Sequence, residues 1–220
     1  MNKISVIGAG LVGCGCAQLF LRAGFDVMLS NSRGVASLSR LLNVIPGCQI
    51  GDQADAIAFA DLILLAIPYN QLESLSAQAL QGKVIMDATN YYPERDGHIA
   101  ELDEHLTTTT QRVAKHLNQS IVIKAFNAIL ARDLVKDAVF EPNLPRRALP
   151  VAGDDDGAKE RVIALYQQVG YDIVDAGSLS QSWRFERAKP AYCIALNKEQ
   201  LVKALAEAKR DVELEHGSWR

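Results

Sequence analysis

Apolar residues fall along the 220-residue chain in short runs, each followed by a longer polar or amphipathic stretch. Residues 3–7 (KISVI) form a β-branched run that stops at a glycine. Similar runs recur at 25–29, 60–67, 83–87, 120–125, 148–152 and 171–175. The run at 60–67 (ADLILLAI) is nearly continuous, as expected for a parallel strand covered on both faces. Between the runs, 14–23 has no proline and closes at Gly24, a helix ended by a C-cap glycine. Residues 155–169 place Val162, Leu165, Tyr166 and Val169 on one face, which reads as an amphipathic helix. The alternation predicts a doubly wound, mostly parallel α/β sheet.

The last third departs from this rhythm. Residues 177–191 are polar and irregular, and 197–214 read as one helix with a narrow apolar stripe of Leu201, Leu205 and Ala208. That stripe hints at a homodimer contact. The segment 137–147, with two prolines and paired arginines, reads as a loop. The expected organisation is a Rossmann-type domain over 1–178, with a short C-terminal helical appendage over 179–220 packing on it.

Composition narrows the function. Hydrophobic residues make up 49% of the chain, enough for a large core. The net charge of −3 and the lack of a basic run argue against nucleic acid as a partner. No apolar run approaches the roughly 18 residues of a spanning helix, so membrane insertion is not expected. Cys14, Cys16, Cys48 and Cys193 match neither a zinc site nor a C-x-x-C motif, and a reducing cytoplasm suits them. Cys14 follows the glycine turn, yet reads better as a small core residue than as a redox sensor. The run Asp154-Asp155-Asp156 caps the following helix more simply than it binds a metal.

The first strand feeds the stretch GAGLVG. Alone, a G-x-G-x-x-G is a weak signal, but here strand, turn, helix and second strand fit one βαβ unit. Gly8 then permits the tight turn, Gly10 admits a pyrophosphate to backbone N–H groups, and Gly13 lets helix and strand pack closely. The phosphate would sit at the helix N-terminus. A carboxylate at the end of the second strand would select NAD. That place holds Ser30-Asn31-Ser32-Arg33 instead. Small hydroxyls and a guanidinium fork suit a 2′-phosphate, so the expected cofactor is NADP(H). Arg40 reads equally as a second contact to that phosphate and as a solvated surface charge.

The segments GAGLVG, SNSRG, LLAIPYNQL, KVIMDATNYY, IVIKAFNAI and LPVAGDDDGAKERVIALYQQVGYDIVDAGSL, in that order, resemble the NADPH-dependent coenzyme F420 reductases over roughly residues 3–185. The cytosolic NADPH-binding part of membrane ferric reductases is similar too. The resemblance implies a Rossmann domain that moves hydride between NADP(H) and a small-molecule cyclic acceptor such as a deazaflavin or flavin. It implies that Gly8, Gly10, Leu11, Val12 and Gly13 line the pyrophosphate turn, and that Ser32 and Arg33, with Asn31 before them, grip the 2′-phosphate. Ala66, Ile67 and Pro68 would run along the ribose, with Thr89 and Asn90 at the next strand end. Residues past Leu179 depart from the F420 reductase pattern. Lys124 and Asn127 are the polar candidates beside the nicotinamide: Asn127 to bond the carboxamide or the acceptor, Lys124 as proton donor or as an ion-paired strand end. Asp87 reads first as a turn cap. The histidines His98, His105, His116 and His216 lie in polar stretches and suit no catalytic role. Trp183 and Arg184 would either cover a ring-shaped acceptor or dock the last helix. A non-catalytic NADP(H)-binding sensor or partner module is the alternative. An open space lined by Pro68, Asn90, Asn127 and Trp183 would favour the enzyme.

Overall fold

The computed structural model describes residues 2–141, 143–215 and 217. In chain order the elements are β1 (Lys3–Ile7), α1 (Leu11–Arg22), β2 (Asp26–Ser30), a 3-10 segment (Val35–Asn43), β3 (Gln49–Ile50), α2 (Gln53–Phe59) and β4 (Leu62–Leu65). A second 3-10 segment (Tyr69–Ser74), β5 (Val84–Asp87), α3 (Pro93–Asp96), α4 (Ala100–Asp103), α5 (Thr109–His116), β6 (Ile121–Lys124) and α6 (Ala131–Leu134) follow. The chain continues through β7 (Ala148–Gly153), α7 (Asp156–Gln168), β8 (Asp172–Asp175), a third 3-10 segment (Leu179–Phe185) and α8 (Lys198–Glu207).

The strands form one eight-stranded sheet in the order β3-β2-β1-β4-β5-β6-β7-β8. This is the Rossmann-type architecture read from the sequence. Strand order reverses direction between β1 and β4, and their carboxyl ends, Ile7 and Leu65, lie side by side. Open sheets of this kind bind ligands at such a switch point. Every pairing is parallel except β6 with β7, which is antiparallel and short: Ile123 faces Gly153 and Lys124 faces Ala152. A Cβ at Gly153 would lie 2.3 Å from Ile123 Cδ1, so a side chain there would have to displace the end of Ile123.

Apolar residues cover both sheet faces. One core gathers Phe20, Leu29, Leu64, Phe126 and Tyr166 beneath α1 and α7, and the other gathers Ile63, Tyr69, Ile85 and Val113 beneath α5 and the second 3-10 segment. A third cluster joins β7 to Phe185, Tyr192, Leu201 and Leu205. The stripe read as a dimer hint is therefore used inside the chain: Leu201, Leu205 and Ala208 are all buried.

Four elements differ from the sequence reading for local reasons. Helices α2 and α5 are short but carry capping boxes, Asp52 with Asp55 and Thr108 with Gln111. Strand β3 is a two-residue edge with no periodicity to betray it. The last helix stops at Glu207 rather than reaching residue 214. Beyond it, Lys189 Nζ donates to the carbonyls of Lys209, Arg210 and Val212, so a side chain satisfies groups that a longer helix would have bonded itself. Of the sequence-based expectations, His216 lies outside the described residues.

Candidate active site

At the switch point the glycine turn is built by close packing. An added Cβ at Gly8 would sit 2.2 Å from Ala66 O, and one at Gly13 would sit 1.9 Å from Gly8 O. Gly8 also has φ +116, a conformation side chains rarely adopt. Gly10 differs: nothing lies within 4 Å of its missing Cβ. Two glycines hold the turn against strand and helix, and the third leaves room above it for a ligand. Leu11 stands 83% exposed on the first turn of α1, while Val12 packs into the core. Of these two, the ligand side of the helix thus offers mainly backbone N–H groups.

The turn opens into a cleft of about 390 Å³, lined by Gly8, Gly10, Asn31, Ser32, Arg33, Ala66, Ile67 and Pro68 among others. Eight of the residues predicted from the sequence therefore meet in one space. At the end of β2 the loop braces itself. Asn31 Nδ2 donates to Ser37 Oγ at 2.9 Å, and Asn31 Oδ1 accepts from Arg33 N at 3.0 Å. Asn31 thereby shapes the loop, while Ser32 and Arg33 project exposed and make no side-chain bond among the described residues. Gln53, Gln71, Ser74 and Leu75 complete the wall and were missed, because they sit on a short helix and an irregular turn with no motif. Arg40 is exposed and lies off the cleft wall.

Besides Leu11, Val12 and Gly13 on α1, the remaining predicted residues lie at or just past the ends of β5 and β6 and do not line this cleft. Lys124, read as a catalytic candidate, is fully buried. Its ammonium lies 3.0 Å from Asp87 Oδ2 and 3.2 Å from Thr109 Oγ1, and also donates to the Thr89 carbonyl. Asp87 accepts from Thr89 N and from the hydroxyls of Thr89 and Thr110. Of the two readings of Lys124, the arrangement favours the ion-paired strand end over the proton donor, and the Thr89 side chain at the end of β5 is held by Asp87.

Asn127 is brought to the edge by strain. Phe126, before it, has φ +60, held by a bond from its N–H to Tyr166 OH and by stacking on that ring at 4.1 Å. Asn127 Nδ2 donates to Asn90 Oδ1 at 3.2 Å and to Phe185 O at 3.0 Å. Asn90 returns a bond to Asn127 O. Asn127 Oδ1 is buried without a partner, an unused acceptor at the carboxyl edge of the sheet.

Trp183 does not join this edge. Its ring lies under Arg184, Arg210 and Lys189 and lines a separate cavity of about 360 Å³ with Tyr91 and Glu186. Arg184 docks α8 through Leu205 O. Asp155 caps α7 through Ala158 N, and no metal-binding group of His, Cys, Asp or Glu occurs among the described residues. Burial raises the Cys14 thiol above its usual range, against a reactive thiolate. His98 is exposed and His116 bonds the Leu75 carbonyl. No helix of the described residues is long and apolar enough to cross a membrane.

Residues 3–91 match the family model for NADP oxidoreductases, coenzyme F420-dependent. That segment spans the glycine turn, the end of β2 and the ends of β4 and β5. Over that segment the chain resembles the F420-dependent NADP oxidoreductases. Mouse metalloreductase STEAP2 is 23% identical over 185 residues, covering 83% of this chain and 35% of that protein. The chain thus spans about a third of this curated relative. A hypothetical protein from Sinorhizobium meliloti superposes with a TM-score of 0.78 at 28% identity, over 90% of this chain and 96% of its own. A protein from Arthrobacter sp. FB24, assigned as an F420-dependent NADP reductase, gives 0.70 at 23% identity, over 83% and 87%. At that identity the likeness is one of fold.

Proposed function

We propose that this protein transfers hydride between NADP(H) and a small cyclic acceptor such as a deazaflavin or flavin. The observation that carries the reading is the end of β2. Ser32 and Arg33 face the cleft with free side chains, and no carboxylate stands there to repel a 2′-phosphate. The open side of Gly10 and the N-terminus of α1 fit the pyrophosphate. Ala66, Ile67 and Pro68 bound the ribose, and Asn127 Oδ1 is the acceptor that a carboxamide N–H would satisfy. When bound, NADPH supplies two electrons and a hydrogen as hydride. The chain's own part is to bind, orient and exclude water. The described cysteines are all free, in keeping with a reducing cytoplasm.

One observation favours the sensor reading. Asn127 is closed over by the Phe185 carbonyl, and Pro68 and Trp183 line different cavities. The test is oxidation of NADPH, with NADH in parallel, by FMN, a deazaflavin, a ferric chelate and a quinone. Turnover with NADPH that is lost in Arg33→Ala supports the oxidoreductase. Tight NADPH binding without turnover on any acceptor supports the sensor. Equal use of NADH overturns the role given to Ser32 and Arg33.

A further inference from the structure

The cavity of about 360 Å³ shares no lining residue with the nucleotide cleft. Its wall joins the start of α5, the third 3-10 segment and the stretch past α8. Trp183 stands on that wall among three cations. Arg184 lies 4.7 Å from its ring, Arg210 5.6 Å and Lys189 5.9 Å. All three spend their hydrogen bonds on neutral oxygens. Arg184 donates to Gln181 Oε1 and Leu205 O, Lys189 to three carbonyls past α8, and Arg210 to the carbonyls of His105 and Thr107. None has an ion-pair partner among the described residues.

The acids of the same wall are engaged elsewhere. Asp103 accepts from Tyr91 OH and faces His98, and Glu213 faces Arg187 at 3.8 Å. One oxygen of Glu186 accepts from Thr109 N, Thr109 Oγ1 and Ser182 Oγ. Burial pulls the Lys189 ammonium below its ordinary range, against the opposing pull of Glu213, Glu186 and Asp211. The nearby acids therefore do not make good its lost hydration. Donors also stand open on the wall. Arg210 Nη1 and Trp183 Nε1 have no partner among the described residues, and Arg187 Nε is buried without one. Arg187 is held in place by Glu94 and by the ring of Tyr92, whose hydroxyl meets that of Tyr192. We propose that this cavity binds a small organic carboxylate, as a second ligand apart from the nucleotide. Arg210 and the Trp183 N–H take the carboxylate, since a guanidinium fork matches a planar anion. Tyr91, Leu102 and the Trp183 ring offer apolar surface to its carbon body. A cavity of this size suits an organic molecule better than an inorganic anion. The inference goes beyond the oxidoreductase reading and does not depend on it.

Calorimetric titration of the full chain with benzoate, succinate, inorganic phosphate and tetramethylammonium tests it, with and without saturating NADPH. Benzoate or succinate should bind as one molecule per chain, with Kd of about 1 mM or below. NADPH should not displace it. Arg210→Gln should weaken the bound carboxylate about tenfold or more, the worth of a charge-assisted hydrogen bond. Trp183→Phe keeps a ring and loses the N–H, and should weaken it less. Arg210 also holds two backbone carbonyls, so melting temperatures are read alongside. Where Arg210→Gln does not fold, Trp183→Phe decides. Failure of both carboxylates to bind at about 10 mM overturns the proposal. So does equal binding by wild type and the folded variants, or displacement by NADPH. Phosphate bound as tightly as the carboxylates would show a site for charge alone. Tetramethylammonium bound in their place would show that the acids govern the cavity. Either result also overturns the proposal.

Discussion

The Lys124 ammonium sits 3.0 Å from Asp87 Oδ2, and neither side chain is exposed at all. The two residues are register partners, Asp87 ending β5 and Lys124 ending β6. The ion pair therefore clamps the strand ends that present Asn90 and Asn127. Breaking it from one side leaves a buried charge without its partner, which costs about 3–5 kcal/mol. Lys124→Met should lose that much stability in urea titration. The double variant Lys124→Met/Asp87→Asn should recover part of the loss. Equal stability of Lys124→Met and wild type would contradict the clamp.

Arg33→Ala should weaken NADPH by about 10- to 100-fold, the worth of a charge-assisted bond to phosphate of about 1.5–3 kcal/mol. NADH binding should stay as it is. Fluorescence titration with both nucleotides measures the ratio, and a parallel loss for both would place Arg33 elsewhere on the cofactor.

The three glycines of the turn should separate into two kinds. Gly13→Ala brings a Cβ into the Gly8 carbonyl and should lower the melting temperature and abolish NADPH binding together. Gly10→Ala meets open space and has φ −81, an ordinary value. It should melt like wild type in calorimetry while binding NADPH more weakly. A melting temperature lowered equally in both would show that the Gly10 face is not reserved for ligand.

Burial raises the hydroxyls of Tyr69, Tyr166, Tyr171 and Tyr192 above their ordinary range. In the unfolded chain these groups lose protons near pH 10, while the fold still holds them. Stability is therefore unaffected below that pH and falls above it, by about 1.4 kcal/mol per pH unit for each tyrosine. Tyrosinate absorbance from these four should rise together with unfolding. A smooth rise in the folded protein near pH 10 would show that they are wetter than the structure has them.

Most of the sheet was legible because each central strand is an apolar run, and seven of the eight strands lie within or beside a predicted run of at least five residues, β3 being the exception. The nucleotide turn was legible because its chemistry is local: Gly8, Gly10 and Gly13 act within one βαβ unit. What escaped was made by distant partners. Lys124 could be read as a proton donor or as an ion-paired strand end, because Asp87 and Thr109, which hold its charge, belong to other elements. The stripe of α8 looked like an interface because β7, which covers it, lies far back in the chain. Nothing in the local sequence brings Tyr92 to Tyr192, and the positive φ values of Phe126 and Cys193 are set by packing.

The antiparallel seam between β6 and β7 has a consequence for descent as well as for shape. Across it the ladder holds two residue pairs, with a glycine pressed against Ile123. On one side stand the strands of the matched family segment, residues 3–91, with the nucleotide turn. On the other stand β7, β8 and the segment that supplies Phe185 and Tyr192. So narrow a ladder leaves the joining of the two sides to packing, with Tyr166 of α7 stacked on Phe126 across the seam. Residues beyond the seam that take no part in this packing can drift, while the side with the glycine turn keeps its shape.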